Sequence, residues 1–333
     1  MKTKNKPKRR VEQLVASLLS LLFLTTAAVA TVKYLVRAPE PDQAPPAVED
    51  ADAQQAPEQD DQAVPTTNGR ARKQYCYTIL LSGLDNDNGG SDTNILMRFD
   101  AVHKSINLVS LPRDTLLNHT WRSNKLNFAY ASGGTELLRK EISNLLGIPV
   151  DFHVTVDLKG FISLVDQIGG VDFDVPVNMD YDDPYQDLHI HYAKGMRHLN
   201  GQQAMEVVRW RKNNDGTGYA TADIGRIGTQ QAFLTQVARQ LLSVKNVPAM
   251  AEVFLKYVKT DLKLGNLVWL GNEALDIGME GVSFYTLPGD GSGWYKGESV
   301  YALDPEATLA LVNEALNPYV DPISMEDMDI CIP

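Results

Sequence analysis

The sequence predicts one α/β domain of three layers, a mixed central sheet between helices (α/β/α), preceded by a single transmembrane helix. Three observations carry this expectation. Beyond Tyr75, apolar β-branched runs and amphipathic helical stretches follow one another without strict alternation, which suits a mixed sheet rather than a doubly wound one. Near the start, six lysines and arginines between Lys2 and Arg10 precede the apolar run Leu14–Val32, close in length to the ~20 residues that cross a bilayer core. Between the two lies a proline-rich, acidic stretch poor in large apolar residues, which cannot bury enough surface to offset its ordering entropy.

These observations set the domain boundaries. Residues 1–10 form a basic cytoplasmic tail and 11–36 a signal anchor; the basic flank holds the N-terminus inside and the rest of the chain outside. Cleavage after Ala28-Val29-Ala30 is the competing reading, but the apolar run is longer than a usual signal core. Residues 37–74 form an extended linker, 75–320 the folded domain and 321–333 a C-terminal tail.

Within the domain, "YCYTILLSGLD" reads as a buried strand, and "NILMRFDAVHKSINLVSLPRD" as two strands joined by a turn near His103-Lys104. Residues 135–146 read as a helix stopped by Gly147 and Pro149, "FHVTVD" as a strand, and "LKGFISLVDQIGG" as an amphipathic helix. "VDFDVPV" and "DLHIHYAKG" read as strands, and a helix starts at Asn200. Further helices are expected over 223–243, 247–260 and 265–277. "VSFYTLPG" then reads as a strand, followed by a hairpin and a helix over 304–316 with Pro305 in its first turn.

Charge excludes one class of partner. The whole chain carries −11, but 37 N-terminal residues hold eight basic side chains and one acid, leaving −18 on the remainder. A field of that sign repels nucleic acid, so no nucleic-acid partner is expected, and an anionic ligand must be held locally. The two cysteines, Cys76 and Cys331, either pair across the domain or sit as separate small apolar side chains.

The chemistry-bearing residues gather in three places. In "DIGRIGTQQAFL", Asp223, Arg226 and Gln230 fall within about 60° on a helix face, and the stripe continues through Leu234, Val237 and Leu241. A helix N-terminus favours an anion, so this face suits an acidic head with an apolar tail; a plain capped helix with Arg226 in a salt bridge fits it as well. Arg209 and Arg211 point to opposite sides of a helix but to one side of an extended chain. In the second case they and Arg226 would clamp a diphosphate; otherwise they flank a tryptophan-stacked surface at Trp210. In "LDNDNGGSDTNILMR", Asp85 and Asp92 stand between two strands. Leu96 occupies the twelfth position counted from Asp85, which rejects an EF-hand, while a few carboxylates on a loop suit Mg²⁺. Arg113, Asp114 and Lys125 follow the next strand.

His189 and His191 share one strand face, but no further His or Cys completes a structural zinc set, so a zinc enzyme is rejected. A serine hydrolase is rejected because "LLSGLD" lacks the first glycine of the nucleophile elbow.

Taken in order, "SDTNILMR", "VSLPRDT", "KLNFAY", "QIGGVDFDV", "LNGQQAMEVVRWR" and "DIGRIGTQQAFL" resemble the LytR-CpsA-Psr family of cell-wall assembly proteins, over about residues 78–243. The resemblance implies an α/β/α domain whose apolar pocket holds a polyprenyl tail. It implies a Mg²⁺-dependent phosphotransferase that moves an anionic glycopolymer (wall teichoic acid, capsule or another glycan) from polyprenyl pyrophosphate to peptidoglycan, usually at a muramic acid 6-hydroxyl. Carried over by motif, Asp85 and Asp92 would bind metal, and Arg113, Lys125, Arg209, Arg211, Arg226 and Gln230 would hold phosphates. Asp92, Arg113, Asp114 and Asp223 would form the catalytic set, with Asp223 or Asp114 as base. The helices at 223–243, 247–260 and 265–277 would line the lipid tunnel. A binder or pyrophosphatase of lipid-linked precursors, or a membrane-bound transcription attenuator, are the alternatives.

Overall fold

A computed structural model describes residues 36–41, 66–67, 69–85, 89–119, 122–185, 188–219, 223–242 and 247–333; of 66, 67, 85, 223 and 224 it describes the backbone only. The expected anchor at 14–32 and the 42–65 part of the linker lie outside the described residues. Among those described, no helix is long and apolar enough to cross a membrane.

A two-stranded ladder, β1 (Thr66–Thr67) and β2 (Arg70–Ala71), precedes the domain's main strands, β3 (Cys76–Asp85), β4 (Gly90–Asp100) and β5 (Ser105–Leu111). Helix α1 (Leu126–Leu146) follows, kinked where Gly133 and Gly134 leave helical geometry. The predicted helix from Thr135 is therefore the second half of a longer element. It ends at Gly147, whose φ of 66° is left-handed and suits glycine. Next come β6 (Phe152–Asp157), α2 (Leu158–Gln167, capped by the Asp157 side chain), β7 (Val171–Val175), β8 (Met179–Asp183), β9 (Leu188–Tyr192) and β10 (Gly195–Leu199).

Helices α3 (Gly201–Arg209), α4 (Asp223–Leu241) and α5 (Val247–Tyr257) follow, then β11 (Lys259–Thr260), α6 (Leu264–Ile277) and β12 (Val282–Thr286). The chain closes with a hairpin of β13 (Gly289–Tyr295) and β14 (Glu298–Leu303) and with α7 (Pro305–Leu311), which Asp304 caps. A π turn continues α7 through Leu316.

Six strands form the mixed central sheet in the order β11-β6-β3-β4-β5-β12. The β3–β4 and β4–β5 pairs are antiparallel, whereas β3–β6 and β5–β12 are parallel. Strand alternation sends neighbouring residues to opposite faces, and each face has its own core. Leu80, Leu96 and Val109 pack with Leu138, Ile142, Leu145 and Val312 against α1 and the C-terminal helix. Ile79, Ile95 and Leu108 pack on the other face with Leu262, Leu270 and Ile277 beside α6. Burying each of these side chains contributes about 1.5–3 kcal/mol. The three-layer expectation holds.

A third cluster, built on β7–β10 and their flanking helices, centres on Trp210 and Phe233. β8 and β10 are strands that the sequence did not suggest. In "MDYDD" only every second residue turns inward, so acids hide the pattern.

Two boundaries move. The folded part begins before residue 75, because Arg72 is 4% exposed and donates from both terminal nitrogens to Asp151 at 2.5 and 2.6 Å. The C-terminal segment is no loose tail: Ile323 is buried, Ile330 packs on the first core, and Asp327 accepts two bonds from Arg70 at 2.9 and 3.0 Å. The two cysteines are free thiols, Cys76 buried and Cys331 partly exposed.

Candidate functional site

The site opens where β4 begins and β5 ends, beside the start of α4. Thr93 pairs with Gly83 and Ser91 with Leu84, so Asp92 is the extra residue of a β-bulge. A bulge re-aims its side chain out of the strand's alternation, and Asp92 lines a small cleft open to solvent. Across from it, Asn94 pairs with Leu111, which brings the turn at 112–114 beside the bulge.

That turn is held by its backbone. Thr115 N–H donates to Pro112 O at 3.0 Å, Asn127 N–H to Arg113 O at 2.9 Å, and Tyr301 N–H to Asp114 O at 2.8 Å. On this fixed platform Arg113 donates through Nη1 to Asp92 Oδ1 at 2.6 Å. Its Nε lies 3.9 Å from Asp114, whose other oxygen is 3.4 Å from Lys125 Nζ. Acid and base thus alternate from Asp92 through Arg113 and Asp114 to Lys125.

Helix α4 supplies the opposite wall with Arg226, Ile227 and Gln230. Arg226 is only 5% exposed, and burying a guanidinium costs several kcal/mol unless an anion or polar groups compensate. Gln230 Nε2 donates to Val208 O at 3.2 Å, tying α4 to the end of α3. Its neighbour Gln231 anchors the helix to the sheet, donating to Ser110 Oγ, Tyr285 O and Thr286 Oγ1 at 3.0, 2.8 and 3.1 Å. The sequence reading missed Gln231, and also Thr93, Asn94 and Ser110, which line the cleft. Their signal lay in the quoted motifs, beside Asp92 and Arg113.

Helix α3 ends at Arg209, and Trp210 is already extended (φ −60°, ψ 138°). Trp210 turns inward, 2% exposed and edge-on to Tyr219 at 4.9 Å, so it is no surface platform for a stacked arginine pair. Arg209 and Arg211 flank it half-buried, and neither lines the cleft. Tyr219 bonds Thr229 on α4; burial raises its phenol pKa, and the Thr229 bond offsets part of that rise.

The structure therefore brings Asp92, Arg113, Arg226 and Gln230 to one cleft, with Asp114 and Lys125 one ion pair behind it. Asp85 ends β3 opposite Gly90 and Asp223 opens α4; their side chains lie outside the described residues. The expected apolar stripe divides: Leu234 packs on the α6-side core, Val237 on the Trp210 core, and Leu241 is exposed. Among the described residues, Phe254, Leu267 and Trp269 beside Leu234 are only partly buried.

Two cations from separate elements facing one carboxylate in a solvent-open cleft can hold an anion with several oxygens. Comparisons with known proteins give the chain's family and fold. A sequence model of the LytR_cpsA_psr family matches residues 46–317. The polyisoprenyl-teichoic acid–peptidoglycan teichoic acid transferase TagV of Bacillus subtilis is 30% identical over 264 residues, covering 75% of this chain and 66% of TagV, just under two thirds of its length. TagU of Bacillus cereus, named for the same transfer, is 30% identical over 253 residues, 74% of this chain and 80% of its own. The crystal structure of B. subtilis TagV superposes with a TM-score of 0.61 at 26% identity, over 70% of this chain and 92% of that one.

Proposed function

The chain belongs to the LytR-CpsA-Psr family, and we propose that it is a membrane-anchored extracytoplasmic phosphotransferase that moves an anionic glycopolymer from polyprenyl pyrophosphate to peptidoglycan. The observation that carries this reading is that Arg113, Arg226 and Asp92 line one cleft, with Arg113 bonded to Asp92. The relatives named as teichoic acid transferases support the same class of donor and acceptor.

In this reading the pyrophosphate lies against Arg113 and Arg226, with Gln230 beside them. An acceptor hydroxyl oxygen forms a new bond to the phosphorus that carries the polymer. The P–O–P bond breaks, polyprenyl phosphate leaves, and the hydroxyl proton passes to a base. Phosphoryl transfer needs mainly positioning and neutralisation of spreading charge, and guanidiniums already held in place supply that with little reorganisation. Asp114 lies between Arg113 and Lys125, so its role is to orient these cations. Lys125, tied to the cleft through Asp114, and Arg209 and Arg211, outside its lining, would contact the phosphates only with the donor bound. The half-buried apolar side chains among α4, α5 and α6 support an apolar place for the polyprenyl tail.

Mg²⁺ is the cofactor of this proposal. Asp92 is a half-exposed carboxylate on a bulge beside the strand end at Asp85, and few protein oxygens plus phosphate suit this ion. Asp85 and Asp92 would hold it, and it would supply positive charge against the phosphate oxygens.

Incubating the full chain with a polyprenyl-pyrophosphate-linked polymer, Mg²⁺ and peptidoglycan tests the proposal. Wall-bound polymer is expected. Released polymer would make the protein a pyrophosphatase, and unaltered donor a binder.

A further inference from the structure

The β8–β9 hairpin carries a second cluster of charged side chains, on the face away from the Trp210 core. Asp180 pairs across the ladder with His191 and Asp182 with His189, so alternation places all four on one face. Their side chains are 46–79% exposed. Asp182 Oδ1 lies 2.5 Å from His189 Nδ1 and 3.3 Å from His191 Nε2. A ligand atom from each of the three stands within 4.8 Å of the others. In a tetrahedral site with bonds of about 2.0–2.1 Å, neighbouring ligand atoms sit about 3.3 Å apart; closing this triad on an ion needs only side-chain rotation.

Two further features make this more than paired surface charges. His191 Nδ1 bonds Asp180 Oδ1 at 2.7 Å. A carboxylate on one ring nitrogen fixes the tautomer and leaves the other nitrogen able to bind a metal. The hairpin is also braced from behind: Asn213 Oδ1 accepts from Asp180 N–H at 2.7 Å and Asn214 Oδ1 from Asp182 N–H at 2.6 Å. Asn214 Nδ2 donates back to Asp182 O at 3.0 Å.

We propose that Asp182, His189 and His191 form a binding site for a divalent first-row transition metal, Zn²⁺ above others, with Asp180 orienting His191. Two imidazoles and one carboxylate suit such ions better than Mg²⁺ or Ca²⁺. The third ligand is a carboxylate of the neighbouring strand, which is why a search of the sequence for further His or Cys misses it. The bound ion clamps β8 to β9 and, through Asn213 and Asn214, the loop that begins at Arg211. Its residues are distinct from those that line the cleft at Asp92.

The test titrates the full chain in detergent with Co²⁺ as an optical probe and then with Zn²⁺ as competitor. One Co²⁺ per chain with a low-coordinate absorption band, displaced by Zn²⁺, is expected, and it persists in Asp92→Ala. His189→Ala and His191→Ala abolish the band, and Asp180→Asn weakens Zn²⁺ binding about 10–100-fold. Metal-free melting of the three hairpin variants matches the parent, because all four side chains are exposed. No Zn²⁺ binding at micromolar concentration, or equal binding by His191→Ala, overturns the proposal and leaves plain Asp–His ion pairs.

Discussion

Arg113 reaches from the turn after β5 to the bulge of β4 and donates through Nη1 to Asp92 at 2.6 Å. Both side chains are partly exposed, 23% and 34%, and exposed ion pairs contribute only about 0–1 kcal/mol to stability. The pair therefore matters to the site far more than to the fold.

Asp92→Ala and Arg113→Ala should each lower polymer transfer about 100-fold or more, the usual loss when one preorganised charge contact at a reacting centre is removed. Their thermal midpoints should stay near that of the parent. Parallel transfer assays and melting curves check this; a large fall in stability with activity retained per folded molecule would make the pair structural.

The pair Arg72–Asp151 should behave in the opposite way. Both side chains are nearly inaccessible, 4% and 2%, and Asp151 also accepts from the Thr78 amide at 2.8 Å. Arg72→Ala leaves a buried carboxylate without its cation, which costs about 3–5 kcal/mol. Urea denaturation should show that loss, with transfer per folded molecule unchanged.

The cysteines should differ sharply in reactivity. Burial pushes the Cys76 thiol up to about 12, so almost no thiolate, the reactive form, exists at pH 8. Native chain treated with iodoacetamide should take one label, at Cys331, and denatured chain two. No label on either cysteine of denatured chain until reductant is added would instead reveal a disulfide.

Asp327 should contribute to the acid limit of stability. The Ser324 amide hydrogen bond, with Ser324 Oγ and Arg70, holds its pKa below the ordinary carboxylate value. A carboxyl depressed in the folded state stabilises above its unfolded value, about 3.9, and loses that contribution as pH falls through the folded one. Asp327→Asn should be less stable than the parent at pH 7, with the difference closing below about pH 4. Denaturation at both pH values measures this; a constant difference would assign it to lost packing.

Much of this architecture is legible before any coordinates. β4, the turn at His103-Lys104 and β5 follow from near-continuous apolar runs, since each strand buries both faces in a central sheet. α5 and α6 follow from helical periodicity. β8 and β10 escape because each touches core on one side only, and their acids and basic residues break the pattern. The Gly133-Gly134 kink hides the first half of α1 behind what reads as a helix stop. In the site, Asp92, Arg113, Arg226 and Gln230 are legible because strand ends and a helix start carry them. The inward turn of Trp210 and the bridge made by Gln231 are not, because both depend on partners more than 50 residues away or on a helix end that periodicity places only loosely.

In the proposed reaction Arg113, oriented by Asp92, and Arg226 neutralise the pyrophosphate of a lipid-linked polymer during transfer to peptidoglycan. The most direct test compares the parent, Arg226→Lys and Arg226→Ala in the transfer assay with saturating donor, counting polymer covalently bound to the wall. Wall-bound polymer is expected for the parent, partial loss for Arg226→Lys, and loss of about 100–1,000-fold for Arg226→Ala. Full transfer by Arg226→Ala with a correctly folded chain would contradict the proposed reaction.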